Sequence, residues 1–152
     1  MIEGVVFKEI VTHTDERGFF REVLRASDPI FAQGFAQWSH TKSYTGVAKG
    51  WHVHQKQVDW WYLAIGVIKV ALYDTRPDSP THGELMEFMM GEQYGAKVVK
   101  IPPGVAHGYR VLEGPVHLFY IVSQEYDGTD EGRLPHDDPE IGYDWTADPE
   151  IT

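Results

Sequence analysis

Cysteine is absent from the sequence, which excludes disulfides and thiol chemistry and fits a reducing compartment such as the cytoplasm. Long apolar runs are lacking as well. The longest, Trp60 to Ile68, contains Gly66 and falls well short of the ~20 residues that a membrane-spanning helix needs. The opening Met-Ile-Glu-Gly has neither the basic start nor the apolar core of a secretory signal, so a cytoplasmic location is expected. Basic residues are scarce: 13 Lys and Arg stand against 23 Asp and Glu, a formal charge of −10 at pH 7. That surplus opposes non-specific contact with nucleic acid or anionic membranes, while a few local cations can still hold a small anionic ligand. Helical periodicity is nearly missing. Only Asp28–Gln33 reads as helix, with Asp28 or Ser27 as its cap and Pro29 in its first turn.

What is present is the material of one β-rich domain. In 152 residues, 42% are hydrophobic and 13% aromatic, enough for a single sizeable core. Strand signals recur at short intervals, broken by Gly, Pro, Asp and Ser. They predict strands at Val5–Val11, Gly18–Val23, Ala36–Ser43, Val47–His54, Asp59–Ala64, Val67–Tyr73, Gly83–Met89, Lys97–Ile101, His107–Val111 and Val116–Ser123. A tight reversal is expected at Ala64–Val67. Many short strands with little helix imply a sandwich or barrel. The barrel is expected over residues 1–126. Residues 127–152 hold nine acids, one Arg and three Pro, and read as an irregular acidic tail on the same domain. Its apolar anchors would be Leu134, Ile141, Tyr143, Trp145 and Ile151. Trp60 and Tyr62 share one strand face and Trp61 takes the other. One set fills the barrel, and the set left uncovered points to a homodimer interface.

Two stretches carry the chemistry. Gly46–Asp59 (GVAKGWHVHQKQVD) puts His52 and His54 on one strand face, because alternate side chains point the same way. Gly95–Gly108 (GAKVVKIPPGVAHG) delivers His107 after a Pro-Pro-Gly turn. Three imidazoles and the Asp59 carboxylate can therefore converge in one barrel. In order and spacing the two stretches resemble the double signature of the cupin superfamily. The fold that this implies is a double-stranded antiparallel jelly-roll β-barrel.

The flanks are similar to one family within that superfamily, the dTDP-4-dehydrorhamnose 3,5-epimerases. The matching segments are Asp15–Glu22 (DERGFFRE), Gln37–His52, Asp74–Gly83, Ile101–Gly108, Tyr120–Tyr126 and Asp138–Trp145. The resemblance implies an enzyme that inverts carbons beside the ketone of a nucleotide-linked 4-keto-6-deoxy sugar. It implies His52 as the base and Tyr126 as the acid. It further implies nucleotide contacts from Arg17, Phe20, Glu22, Gln37 and Lys49, and a sugar pocket lined by His107 with Asp74 and Arg76 close by. His54 and Asp59 would face the same substrate. The family's reaction needs no cofactor, and its members exchange amino-terminal strands in a dimer.

The sequence departs from the family at several points. Lys49 stands where Arg is usual, which loses bidentate phosphate binding. His54 replaces a common Gln. Asp59 occupies the place of an active-site lysine, and a carboxylate there would repel a forming enolate. The family's aspartate partner of the catalytic histidine falls in a segment beyond Thr152. The tautomer and basicity of His52 are therefore expected to depend on another neighbour. With His52, His54, Asp59 and His107 together, the ligand set of a metal-binding cupin is restored, and such a set suits a divalent transition metal. Two alternatives to the metal-free epimerase follow. One is a metal-dependent cupin, either an isomerase such as a sugar-nucleotide 3,4-ketoisomerase or an oxygenase. The other is a non-catalytic sugar-nucleotide-binding cupin.

Overall fold

The computed structural model describes residues 1–147; Ile151, expected as a tail anchor, lies outside the described residues. Ten strands follow in chain order: β1 (Val6–Glu9), β2 (Thr12–Asp15), β3 (Gly18–Arg21), β4 (Gln37–Ser43), β5 (Ala48–His54), β6 (Asp59–Asp74), β7 (Leu85–Met90), β8 (Lys97–Ile101), β9 (Val105–Val122) and β10 (Glu131–Arg133). The segment expected as a helix is a single 3-10 turn at Pro29–Phe31. Asp28 does not cap it. Its carboxylate instead accepts bonds from the Lys8 ammonium and the Arg25 backbone N–H. No helix among the described residues is long and apolar enough to cross a membrane.

The architecture rests on two long strands. β6 and β9, 16 and 18 residues, pair antiparallel from end to end. The first half of β6 also pairs with β8, which carries β1, and the second half of β9 pairs with β4. The second half of β6 pairs with β7, and the first half of β9 pairs with β5, which carries β10. Two five-stranded halves therefore share β6 and β9, the arrangement of an antiparallel jelly roll. The hydrogen-bonded path ends at β1 and β10, so the barrel is not closed into a ring.

The expected reversal at Ala64–Val67 is a bend within one continuous strand. The β6–β9 register slips between Leu63 and Ile68, and Gly66 sits there at φ 88°. A Cβ on Gly66 would lie 2.5 Å from the Glu113 carbonyl and 2.6 Å from Val116 Cγ1, so only glycine lets the two strands fold over together. For the same reason the segments expected at His107–Val111 and Val116–Ser123 run together in one strand, β9, which ends at Val122.

Much of both strand faces is covered within the chain, although Trp38 on the outer face of β4 stays exposed. The interior holds Trp61, Leu63, Ile68, Val70, Leu72, Val99 and Leu118. Residues 23–31 close over the outer face of one half. There Trp60 donates its indole N–H to the Ile30 carbonyl at 2.7 Å and meets the Phe31 ring at 4.7 Å. Trp61 lies inside, edge-on to His107 and Tyr109. The aromatic face offered as a dimer cue is thus buried intramolecularly and carries no argument for a dimer by itself.

The carboxyl-terminal segment covers the other half. Trp145 packs against Trp51 with ring centroids 4.8 Å apart, and Leu134, Ile141 and Tyr143 join the same cluster. A Cβ on Gly108 would fall 2.5 Å from the Trp145 ring, so the glycine makes room for the anchor. The tail is not wholly irregular: β10 adds a strand to the sheet beside β5. β2 and β3, by contrast, form a separate hairpin whose Phe19 and Phe20 are exposed.

Candidate active site

A cavity of about 270 Å³ opens between the two halves, walled by β4, β5, β6, β9 and the β10 segment. Strand alternation decides what faces it. From β4 come Gln37, Ser39 and Thr41; from β5, His52 and His54; from β6, Asp59 and Trp61; from β9, His107, Tyr109, Leu118 and Tyr120. The opposite side chains of β5, Trp51 and Val53, point into the cluster under Trp145.

His52 Nδ1 lies 3.2 Å from Glu131 Oε1. An ionised carboxylate only accepts, so Nδ1 carries the proton and Nε2 is left as the basic nitrogen. Burial is the largest influence on this imidazole and lowers its pKa below the ordinary 6.5. Arg133 lowers it too, while Glu131 opposes them. His52 is therefore neutral at neutral pH, the state a general base requires.

Asp130, beside Glu131, does structural work. Its carboxylate accepts the backbone N–H groups of Gln55, Lys56 and Gln57 at 3.0, 3.1 and 3.2 Å, fixing the turn that leads from His54 to Asp59. Deeper in, Asp59 is buried. It accepts the Gln57 side-chain amide on Oδ1 at 2.7 Å and the Trp61 indole N–H on Oδ2 at 3.2 Å. His107 Nδ1 donates to the Val105 carbonyl at 3.0 Å, and its Nε2 faces Asp59 Oδ2 at 3.9 Å. Lys49 is the one Lys or Arg among the described residues lining the cavity, and it donates to Thr41 Oγ1 at 2.9 Å.

Measured against the sequence expectations, the structure brings Gln37, Lys49, His52, His54, Asp59, His107 and Tyr126 to one cavity. Tyr126 stands exposed at its mouth, its backbone N–H donating to Gln37 Oε1 at 3.0 Å. Four expected contacts are elsewhere in this chain. Arg17 is tied to Asp15 in the β2–β3 turn and faces solvent. Phe20 is exposed on the same hairpin, and Glu22 pairs with Arg25. Asp74 is wholly buried, and its oxygens accept bonds from Arg76, Ser79 and Thr81, so it locks the 74–83 loop instead of lining the sugar pocket. Burial works to raise the Asp74 pKa, but those bonds win and hold the carboxyl well below the usual range. Of the expected metal quartet, only His54, Asp59 and His107 cluster together; His52 pairs with Glu131 instead.

Sequence reasoning missed Glu131, Asp130, Thr41, Gln57 and Tyr120. The alternation Gln37, Ser39, Thr41 was the signal for Thr41. Glu131 had none, because it sits in an acid-rich stretch far along the chain from His52.

Comparison with known proteins agrees with this fold. A sequence profile described as dTDP-4-dehydrorhamnose 3,5-epimerase matches residues 1–152. The spore coat polysaccharide biosynthesis protein SpsL of Bacillus subtilis is 45% identical over 151 residues, covering 97% of this chain and 99% of that protein. Among solved structures, a dTDP sugar isomerase from Desulfovibrio desulfuricans G20 superposes with a TM-score of 0.90 at 28% identity, covering 97% of this chain and 94% of the other. ChmJ, a 3'-monoepimerase from Streptomyces bikiniensis in complex with dTDP-quinovose, superposes at 0.87 with 26% identity over 99% of this chain and 79% of its own.

Proposed function

The chain belongs to the dTDP-4-dehydrorhamnose 3,5-epimerase family, and from that membership we propose that it epimerises a nucleoside-diphosphate 4-keto-6-deoxyhexose beside the ketone. The observation that carries the reading is the His52–Glu131 pair on the wall of the cavity. Nε2 of neutral His52 takes the proton α to the ketone, and Glu131 holds the ring in that tautomer and stabilises the imidazolium that forms. Tyr126 at the mouth returns a proton to the opposite face of the carbon. Gln37 and Lys49 meet the nucleotide diphosphate, with Lys49 as its cation. The reading takes no organic cofactor.

Arg17, Phe20 and Glu22 fit the same scheme in a homodimer. The β2–β3 hairpin is a sheet of its own that exposes Phe19 and Phe20, so it is free to reach the cavity of a second copy. Light scattering at micromolar concentration is expected to give twice the chain mass. A monomer ends that part of the reading.

The test of function is incubation with dTDP-4-keto-6-deoxyglucose, followed by NMR of the sugar ring. A new epimer is expected, at one or both carbons flanking the ketone. Calorimetric binding of dTDP with an unchanged sugar would instead mark a non-catalytic binding protein.

A further inference from the structure

An enolate formed in this cavity is stabilised by positive charge or hydrogen-bond donors near the keto oxygen, yet a buried carboxyl group, Asp59, lines the cavity there. Three donor atoms, from Asp59, His107 and His54, all lie within 4.8 Å of one another. Any three points so spaced share a centre no more than about 2.8 Å from each (4.8 Å divided by √3), against the ~2.0–2.2 Å of imidazole and carboxylate bonds to a divalent transition metal. Side-chain shifts of less than about 1 Å would close the gap.

The surroundings have the features of a supporting shell. The Val105 carbonyl fixes the His107 tautomer, so Nε2 presents its lone pair towards Asp59 Oδ2 at 3.9 Å, with no proton to share between them. Gln57 and Trp61 hold one Asp59 oxygen each and fix the plane of the carboxylate. The His54 ring stacks on His107 with centroids 5.9 Å apart, and its Nδ1 is buried with no hydrogen-bond partner. Asp130 Oδ2 stands 3.8 Å from that nitrogen.

We propose that His54, Asp59 and His107 bind one divalent transition-metal ion on the cavity floor, leaving His52 free. Two imidazoles and a carboxylate suit Zn(II), Mn(II), Fe(II), Co(II) or Ni(II), and three protein ligands leave positions open for a substrate oxygen. The ion and the Asp59 carboxylate together carry one net positive charge, the same as a lysine side chain. Resting on the epimerase reading above, an ion held by these three residues would supply Lewis-acid stabilisation to a substrate oxyanion, while His52 accepts the proton with no net redox change.

The experiment uses the untagged full-length protein and needs no sugar nucleotide, so its outcome is separate from that of the epimerase reading. Protein stripped with a chelator is titrated with Zn(II) and with Mn(II) by calorimetry, and the metal content of unstripped protein is measured by mass spectrometry. About one ion per chain is expected, with affinity at least tenfold weaker in Asp59→Asn and in His107→Ala. Glu131→Gln, on the His52 side, is expected to bind as the wild type does, and circular dichroism confirms that each variant is folded. No saturable binding by the wild type, or equal binding by Asp59→Asn, overturns the proposal.

Discussion

His52 and Glu131 meet across two strands from distant parts of the chain, Nδ1 to Oε1 at 3.2 Å. Strand β10 brings the carboxylate beside β5, so the partner that orients the imidazole comes from the segment after the barrel strands. Substituting Glu131→Gln keeps the shape and removes the charge. The expected result is a fall in kcat of roughly 10²-fold or more with little change in KM, as for other bases that lose their orienting carboxylate. The pH profile supplies the discriminating readout. Glu131 raises the His52 pKa against burial and Arg133, so its neutralisation moves the acid limb of kcat/KM to lower pH. An unmoved limb would make Glu131 merely structural.

Lys49 is the one Lys or Arg on the cavity wall among the described residues. Its loss in Lys49→Ala removes a charge-assisted hydrogen bond worth about 1.5–3 kcal/mol. The dissociation constant for dTDP, measured by calorimetry, is therefore expected to rise by about tenfold or more. It should also become less sensitive to salt. Unchanged affinity would remove Lys49 from the nucleotide site.

Trp145 anchors the segment that carries Asp130 and Glu131. Trp145→Ala empties the cluster formed with Trp51 and Tyr143 and is expected to cost about 3–5 kcal/mol in urea unfolding. A cost below about 1 kcal/mol would show that the segment holds without it.

How much of this was legible in the sequence depended on the range of the signal. The alternation in β5 put His52 and His54 on one face, and the turn before β9 placed His107 opposite them, because period-two patterns and Pro-Pro-Gly turns act locally. Gly66 marked a backbone irregularity, but a turn and a bend use glycine alike, and only the pairing with β9 separates them. The opposed faces of Trp60 and Trp61 were also legible. What covers Trp60 was not, since Ile30 and Phe31 reach it through tertiary packing. Glu131 and Asp130 were invisible because acids in an acidic stretch look alike until β10 pairs with β5. Asp74 looked like a substrate contact, although Ser79 and Thr81 were in reach to satisfy it.

Asp74 tests that last correction. Asp74→Asn is expected to lower stability at pH 7 by about 1–3 kcal/mol, leaving KM unchanged. The folded-state pKa lies below the ordinary 3.8. The carboxylate's contribution is thus fully present above pH 3.8 and is lost as pH falls through the folded value, so the gap in Tm between the two proteins narrows in acid. A raised KM with unchanged Tm would return Asp74 to the substrate site.

Solvent deuterium exchange into a nucleoside-diphosphate 4-keto-6-deoxyhexose, followed by NMR at the two carbons flanking the ketone, addresses the central claim. Wild-type protein is expected to exchange one or both positions, and His52→Ala to slow exchange by at least about 10²-fold while still binding dTDP. Exchange at the wild-type rate in His52→Ala, or none with the wild type, would contradict the assignment of His52 as the base.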